Sequence, residues 1–286
     1  DFPFARVPSS VMDHGTVAPY SVTAADVSVF MLSQDAQGQC IVMQSKGYKW
    51  ERISTYALEN EFQTYSKVSD AIGYTYQQGG HLFYVLIFPQ ADKTWVYDVS
   101  TQQWHQWAWV DNNGKLHRHR SNCYAFIYGQ NVVGDFSNGK LYALDPSKYT
   151  DDGQPIVRIR TFPHLLDDGK RVTYTRFLAD VDAGNITLHM TEDVEVSDFN
   201  WDFNSDFGAS PPVREVPQIT LRWSDDRGHT WGNPVNMPLG STGQYAYMPR
   251  WSPLGMARDR VFELSTSVAA PFALNRAFVE TKPHRS

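Results

Sequence analysis

Two histidines and two arginines alternate in LHRHRSN, at His117, Arg118, His119 and Arg120. On an extended strand His117 and His119 point to one face, where paired imidazoles could begin a metal site, while the arginines take the other face. A third ligand at a telling spacing is missing, so no metal is assigned and the segment reads as a basic contact rim. The second signal is SDDRGHTW, 224–231, which fits the Asp-box pattern S-x-D-x-G-x-T-W. Its reading is mechanical: Ser224 and Asp226 bond backbone N–H groups across a hairpin turn, Gly228 takes the left-handed dihedral, and Thr230 and Trp231 complete the pattern, with the indole packed into the sheet. Asp151 and Asp152, like Asp167 and Asp168, are adjacent pairs before glycines. Glycoside hydrolysis needs two carboxylates facing each other across a bond, so these are turn residues. No G-x-S-x-G elbow, H-E-x-x-H helix, phosphate loop or dinucleotide fingerprint is present. Catalytic residues: none; cofactors: none. The chain reads as a non-enzyme.

The elements that must carry these residues are strands. Alternating β-branched and aromatic residues recur, broken at Asx-Gly and Gly-containing turns near Asp35–Gly38, Asp111–Gly114, Ser137–Lys140, Asp151–Gly153, Asp167–Gly169, Ala183–Asn185 and Asp225–Gly228. Units of about 40 residues, built from short antiparallel strands with Trp95, Trp104 and Trp107 at corners, predict a β-propeller, incomplete at its N-terminal side; a β-sandwich is the alternative. One helix is predicted over Tyr56–Ser66, with Ala57, Leu58, Phe62 and Tyr65 on one face and Ser54 or Thr55 as its cap. The expected organisation is an extension at 1–20 and one propeller-like domain over 21–286, interrupted by an acidic, aromatic contact loop at 191–217.

Hydrophobic residues make up 42% of the chain and aromatics 14%, enough apolar surface for a core and too much for a disordered chain. The longest apolar run, Leu82–Phe88, contains Tyr84, ends at Pro89 and is too short to form a membrane-spanning helix. Cys40 and Cys123 belong to no metal or disulfide spacing. A net charge of −6 argues against tight duplex binding, which relies on basic patches to displace phosphate counterions. The chain starts at Asp1 without a Met or a signal segment, which suggests a processed product or part of a longer protein.

The phrases SVFMLSQDAQGQCIVMQSKGYKWERIST, SDAIGYTYQQGGHLFYVLIFPQADKTWVYDVSTQQWHQW, RHRSNCYAFIYGQNVVGDFSNGKLYALD, YTDDGQPIVRIRTFPHL, LRWSDDRGHTWGNP and LGMARDRVFELS together resemble the phage stabilisation protein family. These are the packaged-DNA stabilisation, or tail hub, proteins of short-tailed bacteriophages. The resemblance runs in order over most of Val27–Ser265. It implies a propeller-bearing virion protein, made in the bacterial host cytoplasm, that assembles as a ring, hexameric by this resemblance, below the portal and its adaptor. There it would extend the DNA channel, retain packaged DNA without binding it specifically, and meet the tail needle and tailspike or fibre proteins. Family members are longer at the N-terminal end. The rival is a glycan-binding or sialidase-like propeller, since sialidases also carry Asp-boxes; they usually carry several, and no arginine cluster with a Tyr/Glu nucleophile pair stands out here. The contacts expected for the tail hub are the 191–217 loop, the Tyr56–Ser66 helix and the His117–Arg120 rim.

Overall fold

The computed structural model describes residues 14–111, 113–182, 217–240, 244 and 247–283. The chain divides after Pro146 into two compact units.

In the first unit three antiparallel meanders follow one another in chain order. The first contains β1 (Thr23–Ala25), β2 (Ser28–Gln34), β3 (Cys40–Lys46) and β4 (Lys49–Arg52). After helix α1 (Tyr56–Gln63) comes a five-stranded sheet: β5 (Ile72–Gln78), β6 (His81–Phe88), β7 (Lys93–Asp98), β8 (Gln103–Val110) and β9 (Leu116–Arg118). The third contains β10 (Ser121–Ile127), β11 (Gln130–Asp135) and β12 (Leu141–Ala143). Sequential order in every sheet is the signature of propeller blades.

The apolar run in β6 is explained by cover on both of its faces. Tyr84, Leu86 and Phe88 point into a cluster with Phe30, Leu32, Val42, Leu58 and Phe62, whereas Val85 and Ile87 join Tyr74, Tyr76, Val96 and Val133 on the other side. A strand buried this way needs no polar alternation. α1 starts where Thr55 Oγ1 accepts from the Leu58 N–H, and Glu59, fully buried, pairs with Arg52 and Ser54. The helix ends at Gln63, and Ala57, expected on its buried face, is exposed. Ser54 does not cap: its hydroxyl accepts from the Val42 N–H and tethers the helix entry to β3.

In the second unit β13 (Thr150–Asp151) and β14 (Gln154–Pro155) form a small hairpin. The other strands are β15 (Arg158–Thr161), β16 (Leu165–Leu166), β17 (Val172–Asp182), β18 (Gln218–Ser224), β19 (Val235–Pro238), β20 (Arg250–Trp251), β21 (Met256–Ala257), β22 (Asp259–Thr266) and β23 (Ala273–Pro283). One sheet has the order β15-β22-β18-β19, with β16 also on β22; in the other, β17 pairs with β20, β21 and β23. Val172, Tyr174, Phe177, Ala179 and Trp251 of the second sheet share a core with Ile219, Leu221, Phe262 and Leu264 of the first. This is a sandwich.

The expectation of a single propeller-like domain over 21–286 therefore gives way to a propeller-type unit followed by a sandwich unit. Both are made of short alternating strands, so periodicity alone cannot separate them; the partners do. In the sandwich β15 pairs with β22 and β17 with β23 across roughly a hundred residues, as in Thr161 Oγ1 to Glu263 Oε2, 102 positions apart. The predicted turn at 183–185 and the contact loop at 191–217 lie outside the described residues except for Pro217, as does most of the 1–20 extension.

Gly73, near the start of β5, supplies a packing test. A Cβ there would stand 2.5 Å from the Ser21 carbonyl oxygen and 3.0 Å from the Tyr84 ring. That carbonyl also accepts the Tyr84 hydroxyl at 2.9 Å, so neither neighbour can yield cheaply. Gly73→Ala should lower stability by roughly 1–3 kcal/mol in urea unfolding, the ordinary range for overpacking.

Candidate functional site

The segment expected as a basic rim is folded inward at the end of the five-stranded sheet. Arg118 is buried, and His117, His119 and Arg120 are half-buried. His117 lies between two carboxylates, Nδ1 at 2.7 Å from Asp92 and Nε2 at 3.4 Å from Asp111, with its ring stacked 5.0 Å from Trp109. The Arg118 backbone N–H donates to Asp92 at 2.9 Å, and its guanidinium sits 3.7 Å from the Phe136 ring centroid. Burial lowers the Arg118 pKa despite Asp92, Asp70 and Asp135 nearby. Arg120 covers Trp109 at 4.2 Å and reaches Asp135 at 3.3 Å. These are internal partners, and they leave no protruding rim.

His119 has a different setting. Its backbone N–H donates to Thr94, its ring lies 5.0 Å from Trp107, and Nδ1 is 2.8 Å from Ser121 Oγ, which also accepts the Tyr74 hydroxyl at 2.8 Å. Desolvation, reinforced by Arg120, pushes the imidazole pKa down to about 4, so the ring is neutral near pH 7. Ser121 is fully buried, so this His-Ser contact offers no nucleophile to a substrate. Among the described residues no three His, Cys, Asp or Glu side chains meet as candidate metal ligands.

In the second unit the SDDRGHTW segment makes the anticipated turn. Ser224 Oγ accepts from Gly228 N–H at 2.8 Å and donates to Asp226 at 2.6 Å; Asp226 accepts from Thr230 N–H at 2.8 Å and from its hydroxyl at 2.5 Å. The Ser224 and Thr230 hydroxyls and the Thr230 N–H hold the Asp226 carboxyl far below the usual carboxylate range. Gly228 has φ +92°, and Arg227 also lies in the left-handed region at +64°. Trp231 departs from expectation: it is half-buried on the sheet surface, with the Arg222 guanidinium 4.7 Å above its ring. Arg222 in turn donates from Nε to Glu263 at 2.6 Å.

What anchors this turn is Arg260 on β22, a residue the motif does not announce. Only 2% exposed, it donates Nε and Nη2 to the two oxygens of Asp225 at 2.6 and 2.7 Å and Nη1 to the Leu254 carbonyl at 2.6 Å. Its guanidinium lies 4.7 Å from Tyr174 and 5.6 Å from Trp223. Beside it Asp259 takes His164 at 3.0 Å and Arg227 at 2.9 Å, which hold its carboxyl below the usual range. The second position of the S-x-D motif thus carries a carboxylate whose partner stands 35 residues away. No spacing rule reaches that far.

In both clusters the carboxylates are spent on backbone N–H groups, imidazoles and guanidiniums, and among the described residues of these clusters no nucleophile and base face a common cavity. The arrangement fixes turns against strands.

The family profile described as "Bacteriophage P22 Gp10, beta-propeller" matches residues 1–149, and that described as "Bacteriophage P22 Gp10, beta-sandwich" matches 170–282. The chain belongs to this phage stabilisation, tail hub family. The two matched regions coincide with the meander unit and the sandwich unit, and membership makes the protein a structural component of the virion. No curated protein matches. Among solved structures, a glycoside hydrolase family 43 arabinoxylan arabinofuranohydrolase from Bacillus subtilis, in complex with cellotetraose, is 9% identical with a TM-score of 0.24. The alignment covers 91% of this chain and about half, 53%, of the hydrolase chain; at that score it carries no argument about fold or activity.

Arg260→Ala should cost roughly 3 kcal/mol or more in denaturant unfolding, because it opens a cavity among aromatic rings and strips Leu254 and Asp225 of their donor. Trp231→Ala should cost less than about 1.5 kcal/mol, since only a half-buried ring and one cation–π contact are lost. For His119 the folded pKa is depressed, so the unfolded chain takes up the proton first as pH falls. Stability from its neutral ring is complete above about pH 6.5 and is lost between there and pH 4, by at most about 3 kcal/mol. Urea midpoints over that window should fall in the native protein and fall distinctly less in His119→Gln, where only the carboxylates with lowered pKa still contribute toward pH 4.

Proposed function

We propose that the protein is a tail hub subunit that acts by assembly, forming a ring, taken as hexameric, below the portal and its adaptor. The ring extends the DNA channel and retains packaged DNA, meets the tail needle and the tailspike or fibre proteins, and does no covalent chemistry. The subunit is made in the host cytoplasm before it joins the virion. The observation that carries this reading is the match of the family to both units in order, propeller then sandwich.

Two physical features support it. The net charge of −6 suits a conduit, because a wall rich in cations would hold phosphates and resist sliding. The β10–β12 sheet leaves Phe126, Tyr128 and Leu141 at 67%, 100% and 72% exposure, apolar area of the sort that protein contacts cover. With His117–Arg120 engaged internally, this sheet offers an exposed contact surface in place of that segment. The glycan-active alternative has only the Ser224–Trp231 turn in its support, and that turn is bound up in its own backbone.

Cryo-EM of the protein mixed with the portal and adaptor of the same phage tests the proposal. A ring coaxial with the channel and seated on the adaptor is expected. A protein that stays off that assembly and releases or binds sugars from a glycan panel would replace this reading with the carbohydrate one.

A further inference from the structure

The sandwich of the second unit has two strand edges without a described strand partner, and they flank one cleft. β15 ends one sheet, β23 pairs only with β17 in the other, and between them lies a cleft of about 430 Å³. Its floor is apolar, with Ile219, Leu264 and Phe272, while Arg158, Arg160 and Arg276 line its walls. Arg158 and Arg160 stand opposite Thr266 and Leu264 in the ladder, and directly opposed residues share a face, so both arginines rise from the side that carries buried Leu264.

The charge in this cleft is poorly balanced. Arg158 donates Nη1 to the Val268 carbonyl at 3.1 Å and lies 5.2 Å from the Tyr149 ring, but faces no carboxylate among the described residues. Burial lowers its pKa accordingly. Arg160 has no ion pair among the described residues. Arg276 approaches Asp180 at 3.5 Å while remaining 72% exposed, so Asp180 is the carboxylate at this mouth and offsets only part of the charge.

We infer that this cleft is a docking site for an extended acidic segment of a partner protein, a strand in which aliphatic residues alternate with carboxylates. A strand laid along a free edge satisfies backbone N–H and C=O groups, and its period of two sends alternate side chains to opposite sides. Aliphatic residues would settle on Ile219, Leu264 and Phe272, and carboxylates would meet the guanidiniums in geometries that planar arginine favours. The volume is of the size that holds a short segment. Duplex DNA does not fit the same features, since phosphate tracks want a broad basic face and have no use for an apolar floor. The inference uses the second unit alone and does not depend on ring formation.

The test is fluorescence anisotropy of the full chain with a labelled peptide of about eight alternating Glu and Val residues, a length typical of strands. Saturable binding that weakens with salt is expected, and the matching Lys/Val peptide should not bind. Arg160→Glu and Arg276→Glu, at exposed positions that should leave the thermal midpoint in place, should each weaken binding by about tenfold or more. Lys170→Glu, which makes the same charge change away from the cleft, should leave it unaltered. Absence of saturable binding, equal binding of the Lys/Val peptide, or an equal loss in Lys170→Glu would each overturn the assignment, as would a duplex competing the peptide off.

Discussion

An antiparallel hairpin must reverse its backbone in a few residues, and the reversal strands N–H groups that no ladder partner can take. This chain solves that problem repeatedly with one device, an aspartate whose carboxylate accepts N–H groups two and four residues ahead. Asp35 takes Gln37 and Gln39, and Asp111 takes Asn113 and Lys115. Asp226 shares the task with Ser224, accepting from Thr230 while the Ser224 hydroxyl takes Gly228. Asp135 and Asp98 do the same at shorter reach, for Ser137 and Ser100. The carboxyls of Asp98, Asp111, Asp135 and Asp226 are held below the usual carboxylate range, so these turns keep their anions at neutral pH, and the strands they join depend on them.

Two of these aspartates, Asp111 and Asp135, and two others, Asp92 and Asp225, also reach outward. Asp111 and Asp92 hold His117, Asp135 holds Arg120, and Asp225, next in line to Asp226, holds Arg260. Turn and strand are therefore coupled by charge, and a cation that seems free in the sequence is committed in the fold.

Local features were legible in the sequence and distant ones were not. The Asx-Gly reversals, the Ser224–Thr230 turn with Gly228 at positive φ, the helix at Tyr56 and its Thr55 cap all depend on residues within a few positions of one another. The all-β class followed from alternation. Pairing between distant strands is out of reach of alternation, so the sandwich stands in the sequence only as the alternative to a propeller, and Trp231, expected to pack into the sheet, is half-buried beneath the Arg222 guanidinium. His117–Arg120 looked like a solvated basic run because Asp92, Trp109, Phe136 and Asp135, which enclose it, lie up to 26 positions away. Arg260 and the cleft beside Arg158 belong to the same class: both need β22 in place before they exist.

The difference in pairing distance has a consequence for how the chain is made. Every sheet of the first unit is closed by its immediate neighbours in sequence, so each meander can settle as soon as it leaves the ribosome. The sandwich cannot: β15 waits for β22, and β17 for β23 at Ala273–Pro283. During synthesis the apolar faces of β17 and β18 wait for the cover of β22 and β23 for the time it takes to add those strands. That interval, rather than the finished structure, is when the second unit is most open to mispairing with another copy, and it ends only when the last strand arrives.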